Sequence, residues 1–254
     1  MNNNPLISVV TVTYNAASVL EETILSVINQ TYPNIQYIII DGGSTDGTID
    51  IIKKYENRIS YWISEPDKGI YDAMNKGINK ATGEWINFMN AGDSFCDLDV
   101  IRDFVKELQD IDADVLYGGV KHIMPYGNKI LPPLSPKNIL HDMPCSHQAI
   151  FIKTSVQKFF LFDLKFKMAA DYNLFYNLYN KGFIFRQIPL CIANSEGTGE
   201  SYKNNTLTMR EVLLINGAYN FFIPRLKYEI KRLLFKFSSN VLLYNVIKKM
   251  KRYK

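Results

Sequence analysis

Short apolar runs alternate with longer stretches of helical spacing over the first ninety residues. The apolar runs read ISVVTVTY, QYIIID, SYWISE and EWINFMN, and the stretches between them read VLEETILSVINQ, TIDIIKKYE and IYDAMNKGINKA. A strand that is apolar along its whole length is typical of a sheet covered on both faces, and alternation of strands with helices indicates βαβ units. The pattern therefore predicts an α/β fold with a mostly parallel sheet and flanking helices.

The pattern loosens after residue 93. ADVLYGGV, HQAIFIK and FIFRQIPLCIA predict further strands, AADYNLFYNLYNKG predicts a helix, and GNKILPPLSPKNIL predicts a proline-rich loop. From about residue 203 the chain is helical and amphipathic, with an interruption at Pro224. We therefore predict one domain over residues 1–202 and a helical extension over residues 203–254.

Polar residues follow each of the first four predicted strands, where the packing of the strand does not require them. In an open parallel sheet the carboxyl ends of the strands line one edge, and ligands bind there near a topological switch point. A single cluster is also explained as an ordinary turn, but four clusters on one edge predict a binding pocket. The clusters are Thr13, Tyr14 and Asn15; Asp41, Gly42 and Gly43; Glu65, Pro66 and Asp67; and Asn90, Ala91, Gly92 and Asp93.

The residue types in this pocket favour a ligand that carries hydrogen-bond donors or a cation. Carboxylates at Asp41, Asp67 and Asp93 repel a bare phosphate, so a phosphorylated ligand needs a divalent metal beside it. The sequence has no GxxxxGK[ST] loop and no GxGxxG after a strand. This spacing excludes a P-loop and a dinucleotide-binding motif.

Charge is distributed unevenly along the chain. Residues 225–254 contain ten Lys or Arg and one acid, a net charge of +9, so the first 224 residues carry −5 of the total of +4. Apolar and basic residues interleave there at helical spacing, which predicts an interfacial helix on an anionic membrane surface. The alternative is a helix that packs on the domain with a solvated basic face. We expect no nucleic-acid partner, because the body is acidic and no recognition motif is present.

Composition and termini suggest a cytoplasmic setting. The hydrophobic content of 47% is enough for a large core. Cys96, Cys145 and Cys191 show no CxxC pairing, which argues against a zinc ribbon or a secreted disulfide scaffold. MNNNPLISVV lacks the features of a signal peptide, and no apolar run approaches about 18 residues. We expect a cytoplasmic protein that is peripheral on the inner face of the cell membrane.

Five stretches in order, VVTVTYNA, IIIDGGSTDGT, SEPDKGIYDAMNKG, WINFMNAGD and AADYNLFYNL, resemble the family 2 glycosyltransferases of bacterial surface-polysaccharide and O-antigen synthesis, which have the GT-A fold. The resemblance covers about residues 6–200. It implies inverting transfer of a hexose-type sugar from a nucleotide donor, commonly UDP, to a lipid-linked or polysaccharide acceptor. It also implies a donor-binding half over about residues 1–120 and an acceptor half over about residues 121–202.

The resemblance assigns roles to individual residues. Thr13 and Asp41 are expected against the nucleobase and ribose, with Asp41 accepting from the ring N–H of the base. Asp93 matches the last acid of a DxD-type metal motif, and Asp171 matches the catalytic base. His147 matches a segment near the acceptor, and a structural histidine explains it equally well. The substrate-binding candidates are Thr13, Tyr14, Asn15, Asp41, Gly43, Asp67, Asn75, Lys76, Asn90, Ala91 and His147.

The sequence departs from the family where acids are usual. Gly42 follows Asp41 in place of a second acid, the DxD region reads NAGD, and Ala170 replaces the first acid of the pair at Asp171. Asp93 alone is then left to hold manganese or magnesium. This is sufficient if the diphosphate supplies most of the oxygen ligands.

The reduced number of acids leaves a second function open. A catalytically silent nucleotide-sugar-binding protein on the same fold is the alternative. A nucleotidyltransferase would need a phosphate loop rich in Gly and Arg or Lys, which TVTYNAAS is not. The stretch EGTGES is either a segment that closes over the donor or acceptor or a flexible turn.

Overall fold

The computed structural model describes residues 4–108, 111–123, 127–195 and 205–238. EGTGES and residues 239–254 lie outside the described residues. The strands in these ranges are β1 (Ile7–Thr13), β2 (Ile35–Asp41), β3 (Tyr61–Ser64), β4 (Trp85–Phe88), β5 (Ser94–Phe95), β6 (Val115–His122), β7 (Lys129–Leu131), β8 (Ile150–Lys153) and β9 (Phe185–Ser195). The helices are α1 (Leu20–Ile28), α2 (Thr48–Lys54), α3 (Ile70–Lys80), α4 (Val100–Glu107), α5 (Thr154–Phe159), α6 (Ala170–Asn180), α7 (Asn205–Ile215) and α8 (Phe222–Ser238).

The strands form one sheet in the order β3-β2-β1-β4-β8-β6-β9-β5, with β7 beside β6. β3, β2, β1 and β4 are parallel, whereas β8 is antiparallel to both β4 and β6. The predicted α/β class is confirmed, and the parallel arrangement holds for the first four strands. The later strands make the sheet mixed, because β8 is antiparallel to its two neighbours whereas β9 is parallel to β6.

The sheet has a hydrophobic core on each face. All seven residues of β1 are buried, and successive side chains point to opposite faces. Ile7 and Val9 pack with α1 and α4, whereas Val10 and Val12 pack with α3 and α6. The continuous apolar runs at β1, β2 and β4 are therefore strands covered on both faces, as predicted, whereas β3 at the edge of the sheet is only half-buried.

Several short elements were not predicted. β5 has two residues, β7 has three and α5 has six, too few for a periodic pattern to stand out. The predicted proline-rich loop contains β7 and a 3₁₀ turn over Pro136–Leu140. The predicted strand HQAIFIK begins with a 3₁₀ turn over His147–Ala149, and only its second half is β8.

Residues 205–215 and 222–238 are helical, and the interruption between these two helices lies before Pro224, at a 3₁₀ turn over Ala218–Asn220. α7 packs against α6, and α8 begins at Phe222 with Pro224 in its first turn. Proline is tolerated there because the first N–H groups of a helix have no partner within the helix. None of the helices in the described ranges combines the length and apolar character that crossing a bilayer requires.

Candidate active site

The carboxyl ends of four strands meet at one edge of the sheet. Backbone hydrogen bonds connect them: Gly42 N–H donates to the Thr13 carbonyl at 2.9 Å, and Glu65 N–H donates to the Asp41 carbonyl at 3.0 Å. Ala91 N–H donates to the Val12 carbonyl at 3.1 Å. The structure therefore brings the four predicted polar clusters side by side.

Asp41 is fully buried at the end of β2. Its Oδ2 accepts from the N–H groups of Gly43 and Ser44 at 3.1 and 2.9 Å and from Ser64 Oγ at 2.6 Å. Its Oδ1 accepts from the Ser44 hydroxyl. The carboxylate thus organises its own loop, and a base N–H reaches it only where a serine hydroxyl releases its bond. The expected contact of Asp41 with the ring N–H of the base stays a prediction.

Gly42 leaves room for the carboxylate of Asp67. A Cβ atom on Gly42 would lie 2.5 Å from Asp67 Oδ2 and 3.3 Å from Tyr14 Cδ2. Asp67 Oδ1 accepts from Gly69 N–H at 2.7 Å, which fixes the side chain in this position. The space next to Asp41 that an acid would occupy is therefore filled by a carboxylate from the end of β3.

The end of β1 exposes one aromatic ring and buries one unpaired hydroxyl. Tyr14 is 64% exposed, whereas Thr13 is buried and its Oγ1 has no hydrogen-bond partner. Asn15 has a φ of 46°, its Oδ1 accepts from Thr45 N–H at 2.9 Å, and its N–H donates to Ser44 Oγ at 2.7 Å. Tyr14 is thus exposed at this edge, Thr13 carries a buried unpaired hydroxyl beside it, and Asn15 connects two loops.

Two predicted donor-binding residues of α3 have other contacts. The Asn75 side chain accepts from Phe162 N–H and donates to the Phe162 carbonyl, both at 2.9 Å. This pairing gives Asn75 a structural role, and its predicted contact with the nucleotide stays a prediction. Lys76 Nζ lies 2.8 Å from Glu65 Oε1 and 3.0 Å from the Pro66 carbonyl, so it reaches the end of β3.

Asp171 lies in the first turn of α6 with its two oxygens in different surroundings. Oδ1 accepts from Tyr172 N–H at 2.8 Å and from the Tyr71 hydroxyl at 3.0 Å. Oδ2 lies 3.9 Å from His147 Nδ1, which is too long for a hydrogen bond. A cavity opens here, lined by His147, Asp171 and apolar side chains of α3, β4, β8 and α6. One oxygen is therefore fixed and the other faces the cavity.

Tyr71 is a neutral hydrogen-bond donor to Asp171. Burial raises the pKa of Tyr71 well above its ordinary value, and the nearby Asp171 carboxylate raises it further. The phenol therefore keeps its proton at neutral pH and orients the carboxylate without taking its charge. The same two causes, burial first, raise the pKa of the Cys145 thiol, so it keeps its proton at neutral pH.

The 3₁₀ turn His147–Ala149 connects the loop after β4 to Asp171. His147 Nε2 lies 2.8 Å from Asn90 Nδ2, and its Nδ1 faces Asp171. The next residue, Gln148, is buried and donates from Nε2 to Asp93 Oδ1 at 3.1 Å. His147 therefore lies between the loop after β4 and Asp171, which is consistent with both a site near the acceptor and a structural histidine, and the turn lies between the two candidate carboxylates.

The side-chain oxygen atoms at the end of β4 suit a weakly held divalent metal. Asn90 Oδ1 is buried without a hydrogen-bond partner, and the Asp93 carboxylate lies three residues further along the same loop. Carboxylate and amide oxygens suit manganese and magnesium. No group of three His, Cys, Asp or Glu side chains able to hold a metal occurs among the described residues. The residues thus fit a metal that takes further ligands from a diphosphate.

Two contributors to the site were missed by the sequence analysis. Tyr71 lies inside the quoted stretch SEPDKGIYDAMNKG, and Gln148 directly follows His147. No local pattern shows that either side chain reaches a carboxylate, since their partners lie 100 and 55 positions away.

Comparison with known proteins identifies a family. Residues 8–167 match the family described as Glycosyl transferase family 2. An uncharacterized glycosyltransferase of Mycobacterium tuberculosis is 35% identical over 182 residues, which cover 67% of this chain and 68% of that protein. The PGL/p-HBAD biosynthesis glycosyltransferase of Mycobacterium bovis is 28% identical over 218 residues, which cover 82% and 83%.

Solved structures share the fold. S. aureus TarS 1–349 in complex with UDP matches with a TM-score of 0.65 and 20% identity over 83% of this chain. A mannosyltransferase from Pyrobaculum calidifontis, in complex with GDP-Man and Mn²⁺, matches with a TM-score of 0.63 and 19% identity over 85% of this chain. This chain spans 65% and 64% of those two chains and 39% of the longer TarS chain. At such identities the matches establish the GT-A fold alone.

Proposed function

The chain belongs to glycosyl transferase family 2, and on that premise we propose an inverting, metal-dependent enzyme that transfers a hexose-type sugar from a UDP-sugar. The acceptor is a hydroxyl group of a lipid-linked or polysaccharide glycan. The observation that carries this proposal is the environment of Asp171: one oxygen is fixed by two donors, and the other faces a cavity beside His147. A silent sugar-nucleotide binder would not need a carboxylate held in this way.

Asp171 is the general base in this mechanism. An acceptor hydroxyl is a poor nucleophile at neutral pH, so a carboxylate must remove its proton as it attacks. The proton passes to Asp171 Oδ2, the acceptor oxygen bonds to the anomeric carbon, and the bond from that carbon to the diphosphate breaks. The acceptor and UDP lie on opposite faces of the sugar, so the configuration inverts.

The donor lies along the ends of β1, β2 and β3. Tyr14 offers an exposed ring, Thr13 an unpaired hydroxyl, and Asp67 a carboxylate for hydroxyl or N–H donors. Gly43 and Ala91, which follow β2 and β4, are the proposed backbone contacts of the donor. UDP is the favoured nucleotide because a fold match was solved with UDP, although another holds GDP-Man.

Asp93 and Asn90 would hold the metal, and Gln148 orients Asp93. A divalent cation bound there would offset the negative charge that develops on the departing diphosphate, an effect worth several kcal/mol as a rough scale. The same turn carries His147, which contacts Asn90, so this turn orients both residues that would hold the metal.

A panel of sugar nucleotides tests the proposed activity. With manganese present, we expect release of UDP from at least one UDP-hexose, faster when a lipid-linked glycan is added, and no nucleotide release from GDP-mannose. Asp50→Asn, which changes an exposed acid of α2, serves as the matched control and should behave as wild type. Binding of UDP-sugars without release, with or without acceptor, would instead favour the silent binding protein.

α8 has an exposed apolar face, the α8 stripe. Tyr228, on the opposite side of the helix, is buried and packs against Tyr219 with ring centroids 6.0 Å apart. Arg225 and Lys227 are exposed on either side of the stripe. At about 100° per residue the stripe falls within one face of the helix. It consists of Phe222, Ile223, Leu226, Ile230 and Leu233.

The α8 stripe favours a membrane surface over simple packing on the domain. The helix buries Tyr228 and still leaves the apolar residues Phe222 and Ile223 76% and 65% exposed. A helix that only packs on the domain would expose a polar face. Basic residues beside an apolar face complement the headgroups of anionic lipids. We place the enzyme on the inner face of the cell membrane, where lipid-linked acceptors are available.

Flotation with vesicles tests this surface. Replacing both Phe222 and Ile223 by serine removes two apolar side chains, each worth about 1.5–3 kcal/mol when fully buried. We therefore expect at least a tenfold (~1.4 kcal/mol) loss of binding to vesicles that contain phosphatidylglycerol. Leu214→Ser changes an exposed leucine of α7 outside the stripe and should leave binding unchanged. Equal flotation of the double variant would favour packing without membrane contact by the stripe, and equal binding to phosphatidylcholine alone would overturn the preference for anionic lipid.

A further inference from the structure

Glu211 is a buried carboxylate on α7, outside the residues assigned to the mechanism. It is 6% exposed. Its Oε1 accepts from Lys167 N–H at 2.9 Å, and its Oε2 accepts from the N–H groups of Met168 and Ala169, both at 2.9 Å. A buried carboxylate is tolerated only when its charge is satisfied, and three backbone donors do this here.

The three N–H groups lie immediately before α6, which begins at Ala170. The first N–H groups of a helix have no partner within it, and a negative charge next to them is stabilising. Ala169 has no side-chain acceptor of its own with which to cap the helix. Glu211 therefore caps α6 from another helix, more than 40 positions away in sequence.

The capped segment is also held from its other side. Met168 N–H donates to Glu211, and the Met168 carbonyl lies 3.0 Å from the Tyr71 hydroxyl. The same hydroxyl contacts Asp171 Oδ1 at 3.0 Å. The backbone that leads into Asp171 is thus fixed between α7 and α3.

We propose that Glu211 is a positioning residue for the general base, acting through the backbone of residues 167–169 on Asp171. The inference rests on the proposed role of Asp171 and concerns a residue that touches neither donor nor acceptor. It also makes α7 part of the catalytic unit. The domain boundary predicted between residues 202 and 203 would separate Glu211 from the segment that it holds.

Glu211→Gln in the full chain tests the proposal, because glutamine keeps the size of the side chain but loses one acceptor oxygen. Small misplacement of a reacting group can cost about 10²-fold in rate. We expect kcat for UDP release to fall by about ten- to a hundredfold, with the affinity for UDP unchanged. Arg210→Gln, an exposed neighbour on α7, is the matched control and should keep wild-type kcat.

Hydrogen–deuterium exchange gives a readout that does not depend on activity. Glu211→Gln should speed exchange of the N–H groups of residues 167–169 and of the first turn of α6, whereas Arg210→Gln should not. Unchanged exchange there would overturn the proposal, as would a loss of UDP affinity equal to the loss of rate. The latter would indicate general unfolding of the site.

A double-mutant cycle separates this inference from the proposed function itself. If Glu211 acts through Asp171, adding Glu211→Gln to Asp171→Asn should lower kcat no further. If the loss of kcat in the double variant equals the product of the two single losses, Glu211 acts independently of Asp171, and the inference is overturned. If Asp171→Asn alone keeps full transfer, the assignment of the base fails. If Asp171→Asn abolishes transfer and Glu211→Gln keeps wild-type kcat, only the positioning role fails.

Discussion

Asp171→Asn is expected to lower kcat for sugar transfer by about 10²- to 10⁴-fold, the usual contribution of a general base. Asparagine keeps an oxygen that can accept from Tyr71 and from Tyr172 N–H, so the fold around α6 should survive. It cannot take a proton from an acceptor hydroxyl. The affinity for UDP should stay unchanged, because the strand ends proposed to hold the nucleotide belong to β1, β2 and β3. Transfer kinetics and calorimetric titration with UDP measure the two quantities.

Two comparisons make this test specific. Asp163→Asn changes an acid of the loop before α6 that contacts Lys165 and not the cavity, so it should keep wild-type kcat. Tyr71→Phe removes one donor to Asp171 Oδ1 and should lower kcat less than Asp171→Asn does, since the carboxylate remains. Full transfer by Asp171→Asn would remove this residue from the mechanism.

The sequence showed which polar residues follow the strands, but it showed less about what those residues contact. Continuous apolar runs identified β1 to β4, and parallel order then required their carboxyl ends to share an edge. The sequence could not show that the Asp41 carboxylate already accepts several hydrogen bonds within the protein, because one of them comes from Ser64 on a different strand. Nor could it show that Asn75 pairs with the backbone of Phe162, 87 positions away.

The residues that orient the candidate carboxylates come from distant parts of the chain. Tyr71 and Glu211 hold the start of α6, while Gln148 holds Asp93. Such contacts depend on tertiary packing and leave no periodic or motif signal. The turn at His147–Ala149 joins the predicted donor half to the predicted acceptor half. A change in this turn or in the loop after β4 is therefore expected to affect both Asp93 and Asp171.

Asp93→Asn is expected to abolish the coupling between metal and nucleotide. Asparagine can still accept from Gln148 Nε2, so the loop should keep its position, but the negative charge is lost. In the wild-type protein we expect weak binding of manganese alone and stronger binding with UDP. By thermodynamic linkage, manganese must strengthen UDP binding by the same factor by which UDP strengthens manganese binding. This factor is typically about 5- to 150-fold for coupled sites. In Asp93→Asn this factor should approach one.

Calorimetry decides this without any assay of transfer. UDP is titrated with and without manganese into wild type, Asp93→Asn and the control Asp112→Asn, which changes an exposed acid. Only Asp93→Asn should lose the dependence of UDP affinity on manganese. Because the described residues offer one carboxylate and one unpaired amide oxygen here, tight manganese binding without UDP would contradict the assignment. Retained coupling in Asp93→Asn would show that the diphosphate and other residues hold the metal without this acid.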